Sequence, residues 1–400
     1  METMIGTSFL NEIADRLELP DSAYEKAEER YKDIGSWLSR EDSECKDFSP
    51  HIFSQGSFRL GTANRPLNSK EEYDLDLACN LEEGISKDNY SQAKLKNLIG
   101  KELELFKSAR GIKEGVEEKK RCWRLTYADK IKFHMDIVPC IPENEDQRRI
   151  IKKAILLESN DEFLSESVSE LTVAITDNTH PEYFSISNNW NISNPEGYAR
   201  WFETRMKQAY QLLQERAKLY KSATIDSIPN YKWKTPLQKC VQLLKRHRDI
   251  IFKDDPDVKP ISIIITTLAA RAYQGENNLE DAVLNILDRF ESLVLAKTPR
   301  IPNPVNPAED FSDKWSSEEG RELKLEQNFR KWLLQAQVDF RKIITSQNAD
   351  YLVEQSIEKF AIKMDRNELA KKLGISLSSV NIISPKHHEI IEKSKPWQRC

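Results

Sequence analysis

Several things are scarce in this 400-residue chain. Its six cysteines stand at 45, 79, 122, 140, 240 and 400, and no pair has the C-x-x-C spacing. No zinc site is therefore expected, and no disulfide framework either. The cysteines read as reduced, mostly buried thiols of a cytoplasmic protein. Long apolar runs are missing as well. The richest stretch, Ile261 to Ala272, is interrupted by Ser262, Thr266, Thr267 and Arg271, and it is too short and too polar to span a bilayer. The N-terminus lacks the basic, then apolar, then small-residue order of a secretion signal, so none is expected. A surplus of positive charge is absent too. Lys and Arg number 60 against 65 Asp and Glu, a net charge of −5, so stable nucleic-acid binding is not expected. The local clusters Lys119-Lys120-Arg121 and 148–153 read as solvated faces.

Against this background two strand-like segments stand out, Tyr73-Asp74-Leu75-Asp76-Leu77 and His134-Met135-Asp136-Ile137-Val138. Side chains two apart on a strand share a face. Asp74 and Asp76 therefore lie on one face, with Tyr73, Leu75 and Leu77 on the other. Asp136 shares its face with His134 and Val138, opposite the apolar Phe133, Met135 and Ile137. Each segment is predicted to be a strand with one dry and one acidic face. By itself, D-x-D also describes an exposed edge strand. Grouped carboxylates repel one another unless a cation intervenes. Mg²⁺ suits them because it takes hard oxygen ligands and commonly adds substrate phosphates to one or two carboxylates. Two such ions can stabilise the entering and leaving oxygens of an in-line displacement.

Upstream lies Gln55-Gly56-Ser57, with Ser57 seventeen residues before Asp74 (74 − 57 = 17); Asp136 follows Asp76 by sixty (136 − 76 = 60). Ile52 to Gln55 reads as a short strand, Gly56-Ser57 as a turn, and Phe58 to Ala63 as a short helix for which Ser57 stands at the N-cap. Unpaired N–H groups at such a turn bind phosphate oxygens readily, and glycine lets the backbone come close. An ordinary capped helix would have the same sequence.

Taken together, Gln55-Gly56-Ser57-Phe58-Arg59-Leu60-Gly61-Thr62, the Asp74/Asp76 strand and His134-Met135-Asp136-Ile137-Val138-Pro139 resemble the polymerase-beta-like nucleotidyltransferases. More closely, they resemble the bacterial relatives of cyclic GMP-AMP synthase, the CD-NTases. Lys234-Thr235-Pro236-Leu237-Gln238 through Asp249, Lys259-Pro260-Ile261-Ser262 and Asn303-Pro304-Val305-Asn306-Pro307 extend the likeness over roughly residues 20 to 395. The resemblance implies a cyclic di- or trinucleotide made from nucleoside triphosphates, ATP and/or GTP, with release of pyrophosphate. It implies two Mg²⁺ per site, or Mn²⁺, held by Asp74, Asp76 and Asp136. Gln55, Gly56 and Ser57 would contact the donor triphosphate, and Lys245 and Ser262 would reach it from the C-terminal side. It further implies bacterial anti-phage (CBASS) signalling through a separate effector protein, and a regulatory or ligase-like partner at the C-terminal tail. Arg248 is a rival to Lys245 as phosphate ligand, and Ser262 also suits a helix cap. Where the animal sensors carry a base-stacking aromatic after that serine, this chain has Ile263, and the histidine-cysteine cluster of their zinc insertion is absent. A terminal transferase acting on RNA and a silent scaffold of the same fold are the competing readings.

The expected fold is α+β, a mixed nucleotidyltransferase sheet followed by a helical lobe, with the site in the cleft between them. Residues 1–190 form the catalytic lobe, braced by a long helix from Ser22 to Leu38; residues 191–383 form the helical lobe; 384–400 are a flexible tail. Further expectations are a helix Tyr90–Phe106, strands 112–116, 122–128 and 171–176, and a hairpin pairing 122–128 with the Asp136 strand. The segment 141–190 is otherwise mixed, and helices are expected at 196–220, 235–253, 261–273, 278–296, 317–346 and 348–373.

Overall fold

The computed structural model describes residues 5–67, 72–127, 133–207 and 234–375. The expected helix beyond 207 and the tail 384–400 fall outside them.

The N-terminal part holds a mixed sheet. Its strands are β1 (Pro50–Ser54), β2 (Tyr73–Leu81), β3 (Val116–Glu118), β4 (Trp123–Tyr127), β5 (Phe133–Pro142), β6 (Val173–Ile175) and β7 (Asn191–Ser193). The order is β1-β2-β5-β4-β3, with β6 joining β5 to β7. Strands β2 and β5 are parallel and every other pair is antiparallel. A parallel pair needs a crossover, and the long helix Gln92–Arg110 lies in that connection. The alternation is realised as expected. Leu75, Leu77, Met135 and Ile137 are wholly or almost wholly buried, while Asp74, Asp76, His134 and Asp136 lie on the other face. Helix Asp21–Leu38 buries Ala23, Ala27, Ile34 and Leu38 in the core beneath the sheet.

The C-terminal part is helical. Numbered along the chain, the helices are α1 (Ile5–Leu17), α2 (Asp21–Leu38), α3 (Gly56–Leu60), α4 (Gln92–Arg110), α5 (Glu145–Ser159), α6 (Glu162–Ser169), α7 (Pro195–Arg205), α8 (Pro236–Ile251), α9 (Ser262–Ala272), α10 (Leu279–Leu293), α11 (Glu318–Glu322), α12 (Leu325–Thr345), α13 (Ala349–Phe360) and α14 (Arg366–Leu373). Helix α8 is the axis. Thr235 and Gln238 form a capping box at its start, with Pro236 in the first turn. Around it, α1, α7, α9, α10 and α12 to α14 close one apolar core, which also takes in Ile151 and Ile155 of α5 and Leu164 and Val168 of α6. Inside this core Trp332 Nε1 donates to His247 Nδ1 at 3.2 Å, and His247 Nε2 lies 3.1 Å from Asp339. Because Nδ1 accepts, Nε2 carries the proton and the ring is neutral, in keeping with burial lowering its pKa.

Two long helices expected from periodicity are each broken. The stretch 317–346 divides at Lys324 and 348–373 divides after Ala361, and both residues have φ of 55°. The segment 141–190 holds two full helices, α5 and α6, which the sequence reading missed. Strand β3 begins at Val116, where a strand over 112–116 was expected to end.

Candidate active site

The turn after β1 is docked onto β2. Gln55 donates its N–H to the Asp76 carbonyl at 2.8 Å and its side-chain amide to the Leu77 carbonyl at 3.3 Å. Gly56 then turns with φ of 63°, and a Cβ added there would sit 2.2 Å from Asp76 Oδ2. Glycine is therefore required on two counts, its left-handed backbone and its contact with the carboxylate. The cap of α3 is Gln55 rather than Ser57, which lies within the first turn. With five residues, α3 has little dipole to offer, so the turn's reach toward an anion rests on the Ser57 hydroxyl and nearby N–H groups.

Strand register sets the carboxylates. Asp76 of β2 stands opposite Asp136 of β5, and Asp74 stands opposite His134. One ligand atom from each of Asp74, Asp76 and Asp136 lies within 4.8 Å of the others. Burial first, then the charges of Asp74 and Asp136, push the Asp76 carboxyl up to about 7. Burial and Asp136 raise Asp74 in the same sense. Three hard-oxygen donors, one of them forced to hold a proton near neutrality, fit a divalent cation, which would relieve that repulsion. From the other side, β4 places Arg124 opposite Asp136. Its Nε donates to Oδ1 at 2.7 Å and its NH2 to Oδ2 at 2.6 Å.

The floor comes from α8 and from Lys234, the residue just before its cap Thr235. Gln238 Nε2 donates to the Leu60 carbonyl at 3.0 Å, Lys234 Nζ to Gly61 at 2.7 Å, Lys245 Nζ to Thr62 at 3.1 Å, and Gln242 Nε2 to Ala63 at 2.7 Å. Arg246 takes the Arg65 carbonyl, and Asn64 returns a bond to the Gln242 carbonyl at 2.9 Å. One face of a capped helix thus fastens the segment that follows the Gly-Ser turn. Lys245 is buried, and burial first, then the charge of Arg248, bring its pKa down to about 8.

Among the sequence candidates, Gly56, Ser57, Asp74, Asp76, Lys245 and Ser262 line one cavity of about 820 Å³. Gln55 holds the turn from behind. Asp136 joins the carboxylates from the neighbouring strand. Arg248 is committed elsewhere, to Asp249, to the Pro260 carbonyl at 2.8 Å and to Ser262 Oγ at 3.0 Å. Ser262 does not cap α9; the cap is Ile261, and Ser262 is the first helical residue. Tyr73, Phe252, Lys253 and Lys259 also line the cavity, and none had been singled out as a site residue. Arg124 was missed as well, although the expected hairpin would have shown that a β4 residue must oppose Asp136.

Residues 50–139 match the family described as cyclic GMP-AMP synthase DncV-like, nucleotidyltransferase domain. The chain is 29% identical over 310 residues to a c-di-GMP synthase of Roseivirga ehrenbergii, covering 76% of this chain and 72% of the relative. It is 23% identical over 400 residues to the cyclic dinucleotide synthase CdnG of Bradyrhizobium diazoefficiens, covering 92% and 86%. The solved structure of that CdnG, in complex with GTP, superposes with a TM-score of 0.63 at 19% identity, over 92% of this chain and 98% of that one. At that identity the superposition speaks for the fold alone.

Proposed function

We propose that the chain is a cyclic dinucleotide synthase of the DncV-like nucleotidyltransferases, one that condenses two or three nucleoside triphosphates, ATP and/or GTP, into a cyclic oligonucleotide with release of pyrophosphate. The observation that carries this reading is the grouping of Asp74, Asp76 and Asp136 beside a cavity that also presents Ser57 and Lys245. Its volume of about 820 Å³ is within the range of small-molecule ligand pockets.

Asp74 and Asp76 would hold both Mg²⁺ ions, and Asp136 the one beside the acceptor hydroxyl. Bound there, the ions would lower the pKa of that hydroxyl and neutralise charge on the transferred phosphoryl group. Ser57 and the Gly56 backbone would hold the donor triphosphate from the sheet side, and Lys245 and Ser262 from the helical side. The α8 bonds to residues 60–63 keep these two sets in register, which favours an in-line geometry. The product would pass to a separate effector protein in anti-phage signalling.

The test is purified protein with Mg²⁺ and all four ribonucleoside triphosphates, followed by phosphatase treatment and mass spectrometry. A phosphatase-resistant cyclic product is expected, and its mass gives the bases and ring size. Linear oligomers in its place would reject the cyclase and indicate a terminal transferase. In the same assay Lys245→Met is expected to raise the KM for nucleotide roughly ten- to a hundredfold, the worth of one charged hydrogen bond. Lys245 keeps its charge below its depressed pKa of about 8 and loses it above. The wild-type KM should therefore climb as pH passes 8, while the Met variant shows no such rise. Parallel profiles for the two proteins would remove Lys245 from the phosphate site.

A further inference from the structure

Arg124 occupies both oxygens of Asp136, the one carboxylate of the three that is paired in this way among the described residues. The grip is a two-point, planar one that a guanidinium makes and an ammonium cannot. A carboxylate has about four lone-pair positions. Arg124 takes two from the β4 side and leaves the rest toward Asp74 and Asp76. A divalent ion reaching Asp136 from the cleft would find a fixed positive charge just behind its ligand.

We propose that Arg124 is a resident counter-cation that competes with the metal for Asp136, so that the third carboxylate loads its ion only once nucleotide phosphates add their negative charge. Arg124 is on this view a positioning residue, acting on the reaction through Asp136. The inference rests on the metal-dependent reading above. It makes occupancy of the acceptor-side metal depend on substrate, and it explains how three close carboxylates stay folded together when no ion is bound.

The experiment is Mn²⁺ binding to the nucleotide-free protein, followed by electron paramagnetic resonance, for wild type, Arg124→Lys and Arg124→Gln. Lysine keeps the charge without the two-point grip; glutamine removes the charge. Affinity should rise in the order wild type, Lys, Gln. Even with water's dielectric, removing one positive charge about 5 Å from a dication favours that dication by roughly tenfold. Adding Asp136→Asn to Arg124→Gln should cancel the gain. A flat or reversed order overturns the proposal, because a merely structural arginine would lower Mn²⁺ affinity when removed. Should the Gln variant fail to fold, the Lys variant decides alone: tighter than wild type supports the proposal, equal or weaker rejects it. Since no nucleotide is present, this result is independent of whether the product is cyclic, linear or absent.

Discussion

Asp76→Asn is expected to raise the melting temperature of the metal-free protein and to lower turnover by about a thousandfold or more. Both effects have one source. In the unfolded chain Asp76 titrates at its ordinary value of 3.8, whereas in the folded site it titrates at about 7. Between those two values the folded protein holds a proton that the unfolded chain has released. Stability therefore falls as pH rises through that window, and above about 7 the whole penalty is present. Asparagine carries no charge to desolvate and does not repel Asp74 or Asp136. At pH 8 in chelator the variant should be more stable by about 1–3 kcal/mol, a rise of a few degrees in Tm. The advantage should vanish near pH 4. Mg²⁺ should stabilise the wild type and have much less effect on the variant, because it has lost a ligand. Scanning fluorimetry at pH 4 to 8 with chelator or Mg²⁺ reads all of this. A variant no more stable than wild type at pH 8 would show that the three carboxylates are not in conflict. Natural active sites commonly trade stability for chemistry in this way.

Gly56→Ala, which removes no functional group, should lower turnover about a hundredfold. The new methyl would lie 2.2 Å from Asp76 Oδ2 and 3.1 Å from its Cγ, at a residue with φ of 63°. An alanine there must leave the left-handed region or bear its cost of roughly 1–2 kcal/mol, and Asp76 must swing away in either case. A displacement of about 1 Å at a reacting centre is enough for a loss of that size. Ser57→Ala is the useful contrast, since it deletes a hydroxyl without moving the carboxylate, and it should act mainly on KM. Steady-state kinetics on both variants, with melting curves, separate the two. Turnover in Gly56→Ala within threefold of wild type would mean that the turn is not packed against Asp76.

The carboxylate cluster was legible because period-two alternation is local. Leu75, Leu77, Met135 and Ile137 point to one face, and that decides where Asp74, Asp76 and Asp136 point. The hairpin between 122–128 and the Asp136 strand followed from proximity in sequence, and β4 and β5 pair as expected. Helix interruptions were not legible. Lys324 and Ala361 take left-handed conformations with no glycine or proline to mark them, so tertiary packing sets those breaks. Helices α5 and α6 escaped because their apolar stripe is narrow. In α5 only Ile151 and Ile155 are buried, while Ile150 and Leu157 face solvent. The floor of the site was hidden for another reason. Gln238, Gln242 and Lys245 bond to backbone carbonyls about 180 residues earlier, and a side chain's choice of a distant carbonyl leaves no mark on periodicity or composition.

That same set of bonds bears on what a cyclising enzyme must do between its two bond-forming steps. The segment 60–63 is fastened to α8 carbonyl by carbonyl, and the turn before it is fastened to β2 through Gln55. The elements proposed to hold phosphate and the carboxylates therefore belong to one framework, present without any nucleotide. Binding need not order this part of the chain, which spares the entropy that a folding-over loop would cost. Yet a linear intermediate has to present its other end to the same atoms for ring closure. With such a cradle fixed, the half-turn would fall to the nucleotide: it would let go, reverse and re-enter the same socket. The socket would then act as a gauge, admitting for the second bond those intermediates whose length allows both ends to fit it in turn.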